Sequence, residues 1–193
     1  MFDLLATSVG LIVILPMLLI IGLLVRIFLG IPILFRQERP GYKGNPFTTY
    51  KFRTMTNRCG TDGKLLSDAE RLTPFGRFLR STSLDDLPQL LNVLRGEMSL
   101  VGPRPLLMKY LSRYTPEQMR RHDVLPGLTG WAQIHGRNVL DWDEKFRLDL
   151  WYVDHRTFWL DIEILFMTPW KVLKREGISQ PGQATAEEFK GKQ

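Results

Sequence analysis

Residues 83–105 read SLDDLPQLLNVLRGEMSLVGPRP, and the centre of the fold turns on them. The apolar positions of Leu84–Arg95 recur at helical spacing, and Gly96 stops the run in the manner of a helix C-terminus. Pro88 falls in the first turn, where its missing N–H costs least. Two adjacent carboxylates, Asp85 and Asp86, open this helix, and Ser83 or Asp85 is placed to cap it. One carboxylate suffices for a cap. Neighbouring helical residues also point about 100° apart, so the pair faces two different surroundings. A helix N-terminus favours ionised carboxylates. Beyond the helix, Pro103 and Pro105 flank Arg104, fixing the backbone that presents its guanidinium. A planar, five-donor fork suits phosphate oxygens as well as a carboxylate.

Upstream, Leu4 to Val25 carries no charge, and as one helix it would span roughly 33 Å, enough to cross a bilayer core. It lacks the polar face of a soluble surface helix. It also lacks the basic start of a cleaved signal peptide. Pro16 sits mid-run, where it removes a donor and crowds the carbonyl of Ile12, so a kink or break is expected there. Two topologies follow: a kinked spanning helix with Arg26, Arg36, Arg39 and Lys43 on the cytoplasmic side, or a helix that turns back and leaves by the same face.

Ile33–Gln37 and Phe47–Met55 read as strands joined through Pro40-Gly41 and Gly44-Asn45-Pro46, a hairpin just off the membrane. Asn57–Ala69 reads as a surface loop, and Ser67–Arg80 as helix interrupted by Pro74. Short helices are expected over Met108–Tyr114 and Pro116–His122, and a Gly-rich loop or short strand over Leu125–Asn138. Longer helices follow over Trp142–Tyr152 and Asp161–Arg175, then a polar tail from Ser179. The expected fold class is α+β and mostly helical. It comprises a membrane-inserted segment over 1–35, a cytoplasmic catalytic domain over 36–178 and a peripheral tail over 179–193.

The chain of 193 residues has 44% hydrophobic residues, which excludes global disorder. Its 26 basic and 20 acidic residues give a net charge of +6, suited to anionic partners. The single cysteine, Cys59, rules out an internal disulfide, and three scattered histidines make a zinc site improbable. The 5 tryptophans all lie between Trp131 and Trp170. Individually they read as core; together with Phe146, Tyr152, Phe158 and Phe166 they also suit a surface resting among lipid headgroups.

Other residues could carry chemistry. Lys51 and Arg53, in YKFRTM, share one face of the second strand. Pro126-Gly127-Leu128-Thr129-Gly130 and His135-Gly136-Arg137-Asn138 offer backbone amides and Arg137 to a phosphate or base. Asp141-Trp142-Asp143 has the D-x-D spacing of metal-dependent glycosyltransferases.

Taken together, FRQERPG (Phe35–Gly41), YKFRTM (Tyr50–Met55), TSLDDLPQLLNVLRGEMSLVGPRP (Thr82–Pro105), PGLTGWAQIHGRN (Pro126–Asn138) and KFRLDLWYV (Lys145–Val153) resemble the bacterial sugar transferases. These are the monotopic polyprenyl-phosphate phosphoglycosyl transferases. The short chain and the tail GISQPGQATAEEFKGK resemble their small branch, which loads N-acetylated amino sugars such as diacetylbacillosamine phosphate. The resemblance implies a re-entrant membrane helix, amphipathic interfacial helices and a site on the cytoplasmic face of the bacterial inner membrane. It implies that Asp85 attacks the β-phosphorus of a UDP-sugar and expels UMP, and that polyprenyl (undecaprenyl) phosphate then takes the phosphosugar. It further implies Mg2+ near Asp85 and Asp86, phosphate contacts from Lys51 and Arg104, and a nucleotide contact from Arg137. Downstream glycosyltransferases are implied partners, and nucleic acid is not. Asp86 stands where the family usually has Glu, and Leu15-Pro16 where it often has Ser-Pro. The competing readings are a D-x-D glycosyltransferase using Asp141 and Asp143 and releasing UDP, and a non-catalytic basic membrane scaffold.

Overall fold

The computed structural model describes residues 2–136, 139–174 and 187–191. The apolar N-terminus forms helix α1 (Phe2–Leu29), which continues through Pro16. The break expected at Pro16 does not end the helix. Proline forfeits a single N–H bond, and the apolar turns on either side keep theirs. The less exposed positions of α1, among them Asp3, Thr7, Ile14, Leu18, Ile21 and Val25, recur every three or four residues, so one stripe faces the rest of the molecule. Both ends of α1 are docked. Near its start the Phe2 and Phe158 rings meet edge-on at 5.2 Å, and Ser99 Oγ donates to Asp3 Oδ2 at 2.5 Å. Near its end Ile21 and Val25 are buried with Phe52 and Leu79. Gly30, at φ +78°, closes the helix by donating to Arg26 O.

Strands β1 (Leu34–Pro40) and β2 (Pro46–Phe52) form the expected antiparallel hairpin, in register from Leu34 opposite Phe52 to Pro40 opposite Pro46. Arg53, just past β2, reaches back to the exit of α1: it donates to Ile31 O at 2.9 Å and also to Leu29 O. Two short helices follow, α2 (Asp68–Arg71) and α3 (Pro74–Ser81), divided at Pro74 as its N1 preference dictates.

The stretch 83–105 folds differently from expectation in its first half. Leu84–Gln89 is a 3₁₀ turn, and the α-helix proper, α4, covers Leu90–Leu94. Ser83 sits in the left-handed region at φ 55° and makes no side-chain cap, and neither aspartate caps the helix. Strand β3 (Ser99–Val101) then runs parallel to β4 (Gly127–Thr129). Here the glycines have a steric purpose: a Cβ on Gly127 would lie 2.1 Å from the Gly102 nitrogen. Gly127 N donates to Pro103 O, and Gly102 N to Thr129 O. The amides of Gly127 and Gly102 therefore serve strand pairing, where the sequence had offered the Pro126–Gly130 glycines as a phosphate cradle.

The Met108–Arg113 turn is 3₁₀, α5 covers Pro116–Met119, and α6 covers Trp131–Ile134. The long helices α7 (Trp142–His155) and α8 (Phe158–Lys174) close the structure. Val101, Val124, Ile134, Tyr152 and Ile164 make one core, and Tyr110, Phe146 and Phe189 another. Phe189 belongs to the tail read from sequence as peripheral. It is buried at 4% exposure, and Glu188 beside it pairs with Lys109 and Arg113. The outer face of α8 is apolar in the open: Trp159, Phe166, Trp170 and Leu173 are all exposed.

Candidate active site

The β-hairpin, the 3₁₀ turn after Ser83, the Pro103–Pro105 loop and α7 enclose a cavity of about 1230 Å³. Asp85, Asp86, Lys51 and Arg104 all line it. The two carboxylates have opposite surroundings, because successive residues of a 3₁₀ turn point about 120° apart. Asp86 is buried and fully engaged: Oδ1 meets Lys51 Nζ at 2.6 Å and accepts from Gln89 Nε2 at 2.6 Å, and Oδ2 accepts from Arg104 at 2.8 Å. Burial alone would raise its pKa. Arg104 and Lys51 outweigh that and hold it well below the usual carboxylate range.

Asp85 makes no ion pair or side-chain hydrogen bond among the described residues; its neighbours act on it through space. Burial, with Asp86 adding like charge, pushes its pKa up to about 7, against the pull of Lys51, Arg104 and Arg80. This corrects the expectation that a helix N-terminus keeps it ionised. The α-helix begins only at Leu90, so little dipole reaches Asp85, and desolvation wins.

Arg104 is held from behind. Its carbonyl accepts from Arg121 at 2.8 Å, and Arg121 is itself locked to Asp149 of α7 at 2.6 Å, both side chains being buried. Arg104 thus meets a carboxylate, one of the two partners its fork suits, yet its side chain keeps 43% exposure. It can accept a further anion. Of the pair in YKFRTM, Lys51 faces the site, whereas Arg53 is spent on the carbonyls at the end of α1. Arg137 lies outside the described residues.

Sequence reading missed Arg39, Arg80, Arg121 and Lys145 as cations lining this cavity. For Arg39 the signal was available. Phe35, Gln37 and Arg39 alternate along β1 on the face that carries Thr49 and Lys51 on β2. The buried Arg121–Asp149 pair is a contact 28 residues apart that no local pattern announces.

The cavity sets a cation-bound aspartate beside an unengaged one, with Lys51 and Arg104 at its wall. Comparison with known sequences gives the family. Residues 1–175 match the family described as Bacterial sugar transferase. The chain belongs to that family. It is 59% identical over 167 residues to the uncharacterized sugar transferase EpsL of Bacillus subtilis (strain 168), covering 86% of this chain and 83% of that one. It is 42% identical over 166 residues to the undecaprenyl-phosphate galactose phosphotransferase of Salmonella typhimurium, covering 77% of this chain. It is 43% identical over 180 residues to the UDP-glucose:undecaprenyl-phosphate glucose-1-phosphate transferase of Klebsiella pneumoniae, covering 88% of this chain. The last two proteins are longer, and the matched parts are 35% and 38% of their lengths.

Within this sugar transferase, the D-x-D reading loses its ligand. Asp141 Oδ1 accepts from Glu144 N at 2.7 Å, which makes it the N-cap of α7, and Asp143 points to solvent on the first turn. Among the described residues no group of three or more acids, histidines or cysteines converges to hold a metal. Asp85 and Asp86 alone make a donor set too small for a closed protein cage. It fits Mg2+ that arrives with a diphosphate and keeps several oxygen ligands from phosphate and water.

Proposed function

We propose that the protein transfers a sugar phosphate from a UDP-sugar to polyprenyl phosphate at a membrane surface, through a covalent intermediate on Asp85. The observation that carries this reading is the division of labour in the dyad: Asp86 is fixed by Lys51 and Arg104, while Asp85 faces the cavity uncommitted. An Asp85 carboxylate oxygen bonds to the β-phosphorus. The bond from that phosphorus to the bridging oxygen breaks, and its electron pair leaves with UMP. The phosphosugar remains on Asp85 as an acyl phosphate. A phosphate oxygen of the polyprenyl phosphate then attacks the same phosphorus and returns Asp85 as a carboxylate.

Lys51 and Arg104 offset the charge that builds when carboxylate approaches diphosphate, and Asp86 holds both in place before substrate arrives. Mg2+ would add further charge neutralisation, held by Asp85 with the diphosphate, and by Asp86 only where its contacts to Lys51, Gln89 and Arg104 yield. The relatives from Salmonella typhimurium and Klebsiella pneumoniae are named for galactose and glucose. For this chain the proposed sugar is an N-acetylated amino sugar, from the resemblance of the stretch GISQPGQATAEEFKGK.

The acceptor must be met at headgroup height. A helix that crosses a bilayer can touch a domain outside it over one end only, whereas α1 is docked near both. That supports a monotopic arrangement on the cytoplasmic face, with the outer faces of α1 and α8 in the lipid. The deciding experiment incubates the protein with a panel of UDP-sugars, undecaprenyl phosphate and Mg2+, and identifies the nucleotide. Release of UMP, with up to about one equivalent formed before lipid is added, supports the reading. Release of UDP overturns it.

A further inference from the structure

Arg39 and Lys145 are among the cavity's cations that the chemistry above does not use. Arg39 Nη2 donates to Gln37 Oε1 at 2.6 Å, and Nη1 donates to Pro105 O at 3.4 Å, so the guanidinium lies against the Arg104 loop. Lys145 stands on α7 one turn before Asp149, and its ammonium lies 4.3 Å from the centre of the Trp142 ring. Both line the cavity, and neither has a carboxylate at ion-pair distance among the described residues. Among the acids that line the cavity, Asp86 is committed to Lys51 and Arg104, Asp149 to Arg121 and Glu188 to Lys109 and Arg113, whereas Asp85 is uncommitted. Arg39 and Lys145 both feel the charge of Arg104, so the cavity gathers positive charge on which an anion would be welcome. Burial and the nearby Arg104 charge lower the Arg39 pKa to about 10, and burial first of all lowers that of Lys145.

The donor has two phosphates, and Lys51 and Arg104 stand beside the aspartates that meet the attacked one. Charge also develops on the other, since the breaking P–O bond leaves its electron pair with the nucleotide. We infer that Arg39 and Lys145 form a second cationic subsite that binds the phosphate of the departing nucleotide. Arg39 offers a planar fork held by two acceptors, and Lys145 a point charge steadied over an aromatic face. The inference rests on the transferase reading for the identity of its ligand, but it can be tested without turnover.

The test uses the full chain in lipid nanodiscs with UMP and uridine as probes, titrated at equilibrium against wild type, Arg39→Gln, Lys145→Gln, Arg39→Lys and Lys145→Arg. Each glutamine variant should weaken UMP about tenfold while leaving uridine unchanged, and the charge-conserving variants should restore most of the loss. In single turnover without lipid, the glutamine variants should need more UDP-sugar for half-maximal UMP release, with the KM for undecaprenyl phosphate unmoved. Equal affinity for UMP in wild type and both glutamine variants would overturn the subsite. So would a parallel fall in UMP and uridine affinity, or a change confined to the lipid KM. A wild type that binds UMP through these cations yet releases none from any UDP-sugar would sink the transferase reading and leave the subsite standing.

Discussion

The floor of the cavity and the outer faces of α1 and α8 each break the ordinary rule of burial, in opposite senses. On the floor, charges are withdrawn from water: Asp86, Arg121 and Asp149 are all nearly inaccessible. On the outer faces, large apolar groups are left in the open, with Ile12 at 76%, Trp159 at 77% and Phe166 at 80% exposure. A soluble protein with no ligand has reason for neither. On the proposed function, the floor is charged to meet an anion and the faces are bare to meet hydrocarbon. An enzyme that joins a water-soluble nucleotide sugar to a lipid phosphate needs both exceptions close together. Phe2 against Phe158 joins the two apolar helices into one surface, and Ser99, which binds Asp3, begins the strand leading to Arg104.

The sharpest way to break the floor is Asp85→Asn. Turnover and the covalent adduct should fall by about 10³-fold or more with the fold retained, as measured by UMP release and intact-protein mass spectrometry. The same residue sets two pH effects. With its pKa raised to about 7, donor-only UMP release should climb as pH passes through that value. Stability should run the other way. A carboxyl raised from 3.8 to about 7 by folding contributes stability that is complete below the unfolded value and lost as pH rises through the folded one. Asp85→Asn should therefore melt higher than wild type at pH 8, with the advantage gone below about pH 4.

The bare face is tested by Trp159→Glu combined with Phe166→Glu. Both side chains are exposed, so the melting temperature should hold, while kcat/KM for undecaprenyl phosphate falls about tenfold and donor-only UMP release does not. Loss of both steps together would mean that α8 supports the floor and does not meet lipid.

A milder break is Asp86→Asn, which leaves Lys51 and Arg104 facing each other with half their compensation. Denaturant unfolding should show a loss of about 2 kcal/mol, less than for a fully buried pair because Arg104 keeps solvent contact. The smallest expected change is Asp141→Ala: about 1 kcal/mol from the lost N-cap of α7, with the metal dependence of turnover unaltered. A lost metal response there would revive the D-x-D reading.

The β-hairpin was legible because its turn residues act locally: Pro40-Gly41 and Gly44-Asn45-Pro46 bracket the loop they were expected to form. The dyad was legible as a pair of unusual carboxylates in different surroundings, but which member is paired was not. That difference depends on Lys51 and Arg104 arriving from distant elements, and on Leu84–Gln89 being 3₁₀, with Pro88 inside the tighter turn. Of the kink or break expected at Pro16, the break does not end the helix, because a local penalty at one residue is outweighed by helix on both sides. Phe189 could not be placed from a polar tail at all. Its burial follows from rings at Tyr110, Tyr114, Trp142 and Phe146 that lie far off in sequence.

Arg53 ties the last turn of α1 to the end of β2, and Lys51 lies two residues before it on that strand. Phe52, between them, packs against Ile21 and Val25 of α1. The position of α1 and the position of Lys51 are therefore mechanically linked, so a displacement of the helix is passed to the strand that lines the cavity.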